Sequence, residues 1–194
     1  EKPSTRTRIS FDIAAKQLGG SSIILNPDVI HYGKGDESIK DTAKVLSEYA
    51  DIIMMRTSLH KNLAEFAKFS DIPVINGLSE QSHPCQIMSD IFTFEEAKGN
   101  IKGKTIAWLG DGNNNMSNTL IEAAAKFEFN LNIGCPDKYK PNKNIMIWAK
   151  KNKANITITK KPDAAVRNVD CIMTDKWISM NDKVDKKKEK RKLE

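Results

Sequence analysis

The chain has 194 residues, 39% hydrophobic and 29% charged, with three cysteines and a formal net charge of +6. That length allows one large or two small domains with a buried core, while odd, widely spaced cysteines (Cys85, Cys135, Cys171) argue against a disulfide framework or a zinc ribbon and for a reducing compartment. The basic character belongs to the tail: residues 183–194 hold seven Lys or Arg against three acids, leaving +2 on the first 182, and no aromatics are interleaved to stack bases, so the run reads as a solvated segment with no nucleic-acid partner.

In chain order, Lys2-Pro3-Ser4-Thr5-Arg6-Thr7-Arg8 brings hydroxyls and guanidinium groups to the start of a helix expected over 6–17. Ile9, Ile13, Ala14 and Leu18 fall at helical spacing and Gly19-Gly20 supplies the stop. Ser4 or Thr5 is its N-cap, where unpaired N–H groups and the macrodipole favour an anion. Residues 22–26 read as a short buried strand and 28–36 as a loop. A helix capped by Ser38, with Asp41 as capping-box partner, turns Ile39, Ala43, Val45, Leu46 and Tyr49 inward. Strand 51–56 ends on Arg56; helix 61–69, strand 72–76 and a longer helix 83–98 follow.

A second alternating set comprises strand 105–109, helix 116–127, strand 130–134, helix 144–151, strand 155–159, a helical turn around 164–167 and strand 171–174. Strands separated by helices imply parallel βαβ units with ligands at the carboxyl ends of the strands. The fold expected is therefore α/β, with two lobes, each a parallel sheet flanked by helices. The composition break at 99–103 divides them into 1–98 and 99–194. No stretch approaches the roughly 20 apolar residues of a membrane span, no signal sequence is visible, and the cytoplasm is the default compartment.

Ser4-Thr5-Arg6-Thr7-Arg8 resembles the carbamoyl phosphate signature of the aspartate and ornithine carbamoyltransferases. Four further stretches follow in the family's order: Met55-Arg56-Thr57, His83-Pro84-Cys85-Gln86, Gly110-Asp111-Gly112-Asn113-Asn114-Asn115, and Thr174-Asp175-Lys176-Trp177-Ile178-Ser179-Met180. The last favours the ornithine-using branch. The resemblance implies transfer of a carbamoyl group from carbamoyl phosphate to the δ-amine of L-ornithine, giving citrulline and phosphate.

By the same resemblance Ser4, Thr5, Arg6 and Thr7 hold the phosphate, and Thr7 also reaches the carbonyl oxygen together with Arg56 and His83. Gln86 accepts from the carbamoyl NH2. His83 and Gln86, three apart, share one face of their helix. Asn115, with Asn114 as the alternative, contacts ornithine. Asp175 pairs with the α-ammonium group, and Ser179 and Met180 line the rest of the amino-acid site; Asn181 stands where the family usually has Gly. The resemblance also implies a homotrimer in which His31 reaches a neighbouring subunit's phosphate, a chain that is an internal fragment of the family's length, and no organic cofactor.

Gly110-Asp111-Gly112 after a strand invites a dinucleotide reading, but Asn115 occupies the place of the third glycine. His31, His60 and His83 show no metal-ligand spacing, so no metal is expected. The rival readings are a carbamoyltransferase for putrescine or N-acetylornithine and a non-catalytic phosphate-binding Rossmann-like module.

Overall fold

Ser4 caps the first helix, α1 (Thr5–Gln17): its backbone is extended and its Oγ accepts from the Thr7 N–H at 3.4 Å. This is seen in a computed structural model of the chain, which describes residues 4–26 and 37–176. The chain divides into two compact units, Glu1–Ser79 and Glu80–Glu194. Each is a parallel α/β arrangement, in agreement with the fold class read from the sequence.

In the first unit, α2 (Ile39–Ser47) and α3 (His60–Phe69) accompany a two-stranded parallel sheet of β1 (Ile53–Arg56) and β2 (Val74–Leu78). The small core gathers Ala43 and Phe66, with Ile39, Leu46, Ile53, Met55, Phe69 and Val74 packed around them. Val45 and Tyr49, expected on the buried side, are instead 52% and 78% exposed. Ile39, Ala43 and Leu46 follow the i, i+4, i+7 row, and Val45, two residues from Ala43, points to the opposite side of the turn.

The strand expected over 22–26 is not formed. Those residues run irregularly, and Ile23, Ile24 and Leu25 are exposed. A strand needs a ladder partner, and here side chains hold the segment beside α1 instead: Arg8 Nη2 donates to Asn26 Oδ1 at 2.8 Å, and Ser22 donates to Asp12. β2 also begins two residues later than expected and runs on to Leu78. Pro73 has no N–H to give a ladder but its carbonyl accepts from Ile53 at 3.0 Å. At the far end the register slips, so that Met55 faces Asn76 and Arg56 faces Leu78, leaving Gly77 as the extra residue of a bulge. A Cβ at Gly77 would press on the Met54 side chain.

The second unit opens with α4 (Pro84–Lys98), whose first residue is a proline at a position where no backbone donor is needed. Strands β3 (Thr105–Leu109), β4 (Asn130–Gly134), β5 (Ile156–Thr159) and β6 (Cys171–Thr174) form one parallel sheet in the order β5-β4-β3-β6. Helices α5 (Asn115–Phe127), α6 (Lys143–Lys151) and α7 (Pro162–Ala165) connect them, with a 3-10 turn at Asp137–Tyr139. Ile87, Ile91 and Phe94 of α4 join Trp108, Leu120, Ile121, Leu131 and Ile133 in one core. Among the described residues no helix is long and apolar enough to cross a membrane.

Candidate functional site

The N-terminal turn of α1 and the carboxyl end of β1 meet within the first unit. Thr7 Oγ1 accepts from Ser4 Oγ at 3.0 Å and from Arg56 Nη1 at 3.1 Å. A hydroxyl has two lone pairs and one proton. With both lone pairs engaged, the Thr7 proton points to an acceptor other than these two groups. Burial pulls the Arg56 guanidinium down from its usual value, and the positive charge of Arg6 pulls in the same direction. Two cations drawn together at a helix N-terminus with no acid in its first turn make a place suited to an anion. Thr5 and Arg6 lie on the exposed side of that turn.

In the second unit His83 is the N-cap of α4, with no side-chain cap bond. Its backbone N–H donates instead to Thr119 Oγ1 of α5 at 2.8 Å, and Thr119 Oγ1 donates to the Asn115 carbonyl at 2.7 Å. Gln86, exposed in the first turn of α4, gives its Nε2 to Asp90 Oδ1 at 2.9 Å. A carboxylate only accepts, so this bond assigns the amide nitrogen to Asp90 and turns Oε1, the acceptor end, the other way. Cys85, between them, is half-buried, and burial pushes its thiol up from the usual value, as for a packed side chain.

The turn after β3 is built tightly. Asp111 is buried and its Oδ1 accepts from the Asn113 N–H at 2.8 Å, while its carbonyl accepts from Trp108 Nε1 at 3.1 Å. Gly112 is required by space: a Cβ there would sit 2.8 Å from the Tyr139 carbonyl oxygen. Asn114 caps α5 in a reciprocal box, its Oδ1 accepting from Ser117 N at 2.8 Å and its N–H donating to Ser117 Oγ at 3.1 Å. Asn115 is the first helical residue and its carboxamide takes no part in that box.

Asp175 follows β6, the strand paired beside β3, with Leu109 opposite Thr174. It is exposed, and its Oδ1 accepts from the Lys176 N–H at 2.7 Å. The structure thus joins Ser4, Thr7 and Arg56 in one unit; in the other it joins His83 to Asn115 through Thr119, and brings Asp175 to the neighbouring strand end. His31, Ser179 and Met180 lie outside the described residues. Thr119 and Asp90 carry none of the sequence motifs. Asp90 has a local signal, four residues after Gln86 on the same helix face; Thr119 has none, because its contact to α4 is tertiary.

A family model described as aspartate/ornithine carbamoyltransferase, carbamoyl-P binding domain, matches residues 1–96, and one described as the Asp/Orn binding domain matches residues 102–194. The ornithine carbamoyltransferase of Brucella ovis is 51% identical over 180 residues, 93% of this chain and 57% of that protein. That of Rhodopseudomonas palustris is 52% identical over 183 residues, 94% of this chain and 58% of that protein. Among solved structures, the ornithine carbamoyltransferase from Pyrococcus furiosus superposes with a TM-score of 0.88 at 40% identity, covering 99% of this chain and 62% of that one. The anabolic ornithine carbamoyltransferase from Campylobacter jejuni gives 0.87 at 37% identity, covering 98% and 65%. The chain spans less than two thirds of the length of each of these relatives.

Proposed function

The chain belongs to the aspartate/ornithine carbamoyltransferase family, and on that premise we propose that it is part of an enzyme that transfers the carbamoyl group of carbamoyl phosphate to the δ-amine of L-ornithine. The observation that carries the reading is the meeting of Arg56 and Ser4 at Thr7 Oγ1. It gathers the Thr7 hydroxyl and the Arg56 guanidinium at the helix turn that carries Arg6, a donor set suited to one anionic, carbonyl-bearing substrate.

The neutral δ-amine attacks the carbamoyl carbon, the carbonyl oxygen takes up negative charge, and the bond from carbon to the phosphate oxygen breaks. The amine proton leaves with inorganic phosphate, and the products are citrulline and phosphate. Such a reaction depends on placement and on donors aimed at the developing oxyanion more than on covalent help. In this reading the N-terminal turn of α1, with Ser4, Thr5, Arg6 and Thr7, holds the phosphate. Thr7, Arg56 and His83 donate to the carbonyl oxygen, and Gln86 Oε1 accepts from the carbamoyl NH2, the orientation that the Asp90 bond favours.

Asn115 receives the amino acid. Because Asn114 Oδ1 is engaged in capping α5, that geometry favours Asn115 of the two. Asp175 pairs with the α-ammonium group, with Ser179 and Met180 completing the amino-acid side. By function the carbamoyl phosphate lobe is residues 1–98 and the ornithine lobe 99–194, close to the limits of the two family models. A homotrimer, with His31 reaching a neighbouring subunit's phosphate, and a cytoplasmic setting complete the proposal.

The full-length gene product, given carbamoyl phosphate and L-ornithine, is expected to form citrulline and phosphate in equal amounts. Carbamoyl phosphate that binds but stays intact in the presence of ornithine would contradict the reading and favour a phosphate-binding module.

A further inference from the structure

We propose that Thr119 is a positioning residue that holds the carbamoyl-side His83 and the amino-acid-side Asn115 in fixed relation; this rests on the roles given to those two residues above. Thr119 is 4% exposed, on α5, one turn after Asn115. Its single hydroxyl accepts from the His83 N–H at 2.8 Å and donates to the Asn115 carbonyl at 2.7 Å.

As the N-cap of α4, His83 has a backbone N–H with no partner inside its own helix. The Thr119 hydroxyl supplies that partner from another helix, and in doing so fixes the backbone from which the imidazole projects. The same oxygen is anchored at its other end to the residue that begins α5, so the distance between the two substrate-facing positions passes through one atom.

Two hydroxyls of α4 behave differently. Ser89 and Thr93 of α4 each donate to the carbonyl four residues back, at 2.9 Å in both cases, but they lie on the exposed side of the helix. That pattern is ordinary local back-bonding. Thr119 makes the same local bond and also accepts across helices, in the buried interior. A hydroxyl does both through a single oxygen: Val has the shape of Thr without either function, and Ser keeps both functions without the methyl.

For transfer between two substrates, the carbon and the amine must meet within a narrow range of distance, and a displacement on the order of 1 Å costs up to about 100-fold in rate. Loss of the Thr119 hydroxyl is therefore expected in kcat more than in binding. In the full-length gene product, Thr119→Val should lower kcat about tenfold to 100-fold, with both KM values moving less. Thr119→Ser should restore kcat to near the parent value.

His83→Ala and Asn115→Ala are measured alongside. If those two lose activity while Thr119→Val, folded and assayed well below its melting temperature, keeps the parent kcat, the hydroxyl is only structural and the proposal is overturned. If neither His83→Ala nor Asn115→Ala changes kinetics, the roles assigned to these residues are wrong and the proposal falls with them. Thr119→Ala removes the hydroxyl with less bulk and carries the same expectation, so failure of the Val variant to fold still leaves a decisive measurement.

Discussion

Arg56 Nη1 donates to Thr7 Oγ1 at 3.1 Å, tying the carboxyl end of β1 to the N-terminal turn of α1 across 49 residues of chain. The bond turns two separate sequence motifs into one donor set. In the role proposed for Arg56, Arg56→Ala removes an oxyanion donor of the kind whose loss costs roughly 100- to 1000-fold in kcat. Thr7→Val removes the hydroxyl that Arg56 and Ser4 point at, and is expected to lower kcat/KM for carbamoyl phosphate about tenfold, the cost of one charge-assisted hydrogen bond. Steady-state kinetics with carbamoyl phosphate varied measures both, and parent-like values for Arg56→Ala would exclude it from the reaction.

The two adjacent asparagines should separate cleanly. Asn114→Ala deletes the cap of α5 and is expected to cost about 1 kcal/mol of stability, read as a lower denaturant midpoint, because Ser117 N–H loses its acceptor. Asn115→Ala leaves the cap intact and should instead raise KM for ornithine. An unchanged ornithine KM in Asn115→Ala, with a raised one in Asn114→Ala, would transfer the substrate role to Asn114.

Gly112→Ala tests how the β3 turn is held. The new Cβ would lie 2.8 Å from the Tyr139 carbonyl oxygen, 3.1 Å from Pro141 Cδ and 3.2 Å from Cys135 Sγ, two of them inflexible neighbours. Overpacking of this kind costs about 1–3 kcal/mol. A melting temperature equal to that of the parent would mean the 3-10 turn yields, and that the turn carrying Asn115 is less constrained than its contacts imply.

Asp90 gives a pH signature in stability. Burial raises its carboxyl above the usual carboxylate range, and the hydrogen bond from Gln86 opposes that without cancelling it. The folded protein therefore keeps a proton on Asp90 at pH values where the unfolded chain has released it. Stability from this group is present at acid pH and is lost as pH rises through the folded value. Asp90→Asn removes the titration, so its melting temperature should exceed that of the parent at neutral pH, with the gain shrinking on acidification into the ordinary carboxylate range. A difference that stays constant with pH would show that Asp90 does not titrate as its burial requires.

Much of the second unit was legible in the sequence because its strands are short apolar runs bounded by Gly, Asn or Asp; 105–109, 130–134 and 171–174 correspond residue for residue to β3, β4 and β6. The positions of Arg56 at a strand end, of the 111–115 turn and of Asp175 beyond the last strand were readable for the same reason. Residues 22–26 misled because an apolar run states a preference for burial and not the presence of a ladder partner. β2 shifted because Gly77 reads as a strand end, whereas a bulge lets the strand continue to Leu78. The Thr119 bridge was invisible: it joins residues 36 apart through a helix pairing that no spacing encodes.

The most direct test of the central claim is carbamoyl transfer by the full-length gene product offered carbamoyl phosphate with L-ornithine, aspartate, putrescine or N-acetylornithine. The account predicts product from ornithine alone, as citrulline. Turnover with one of the other amines and none with ornithine would contradict the amino-acid side of the site, with Asp175 and Asn115 the first assignments to be abandoned.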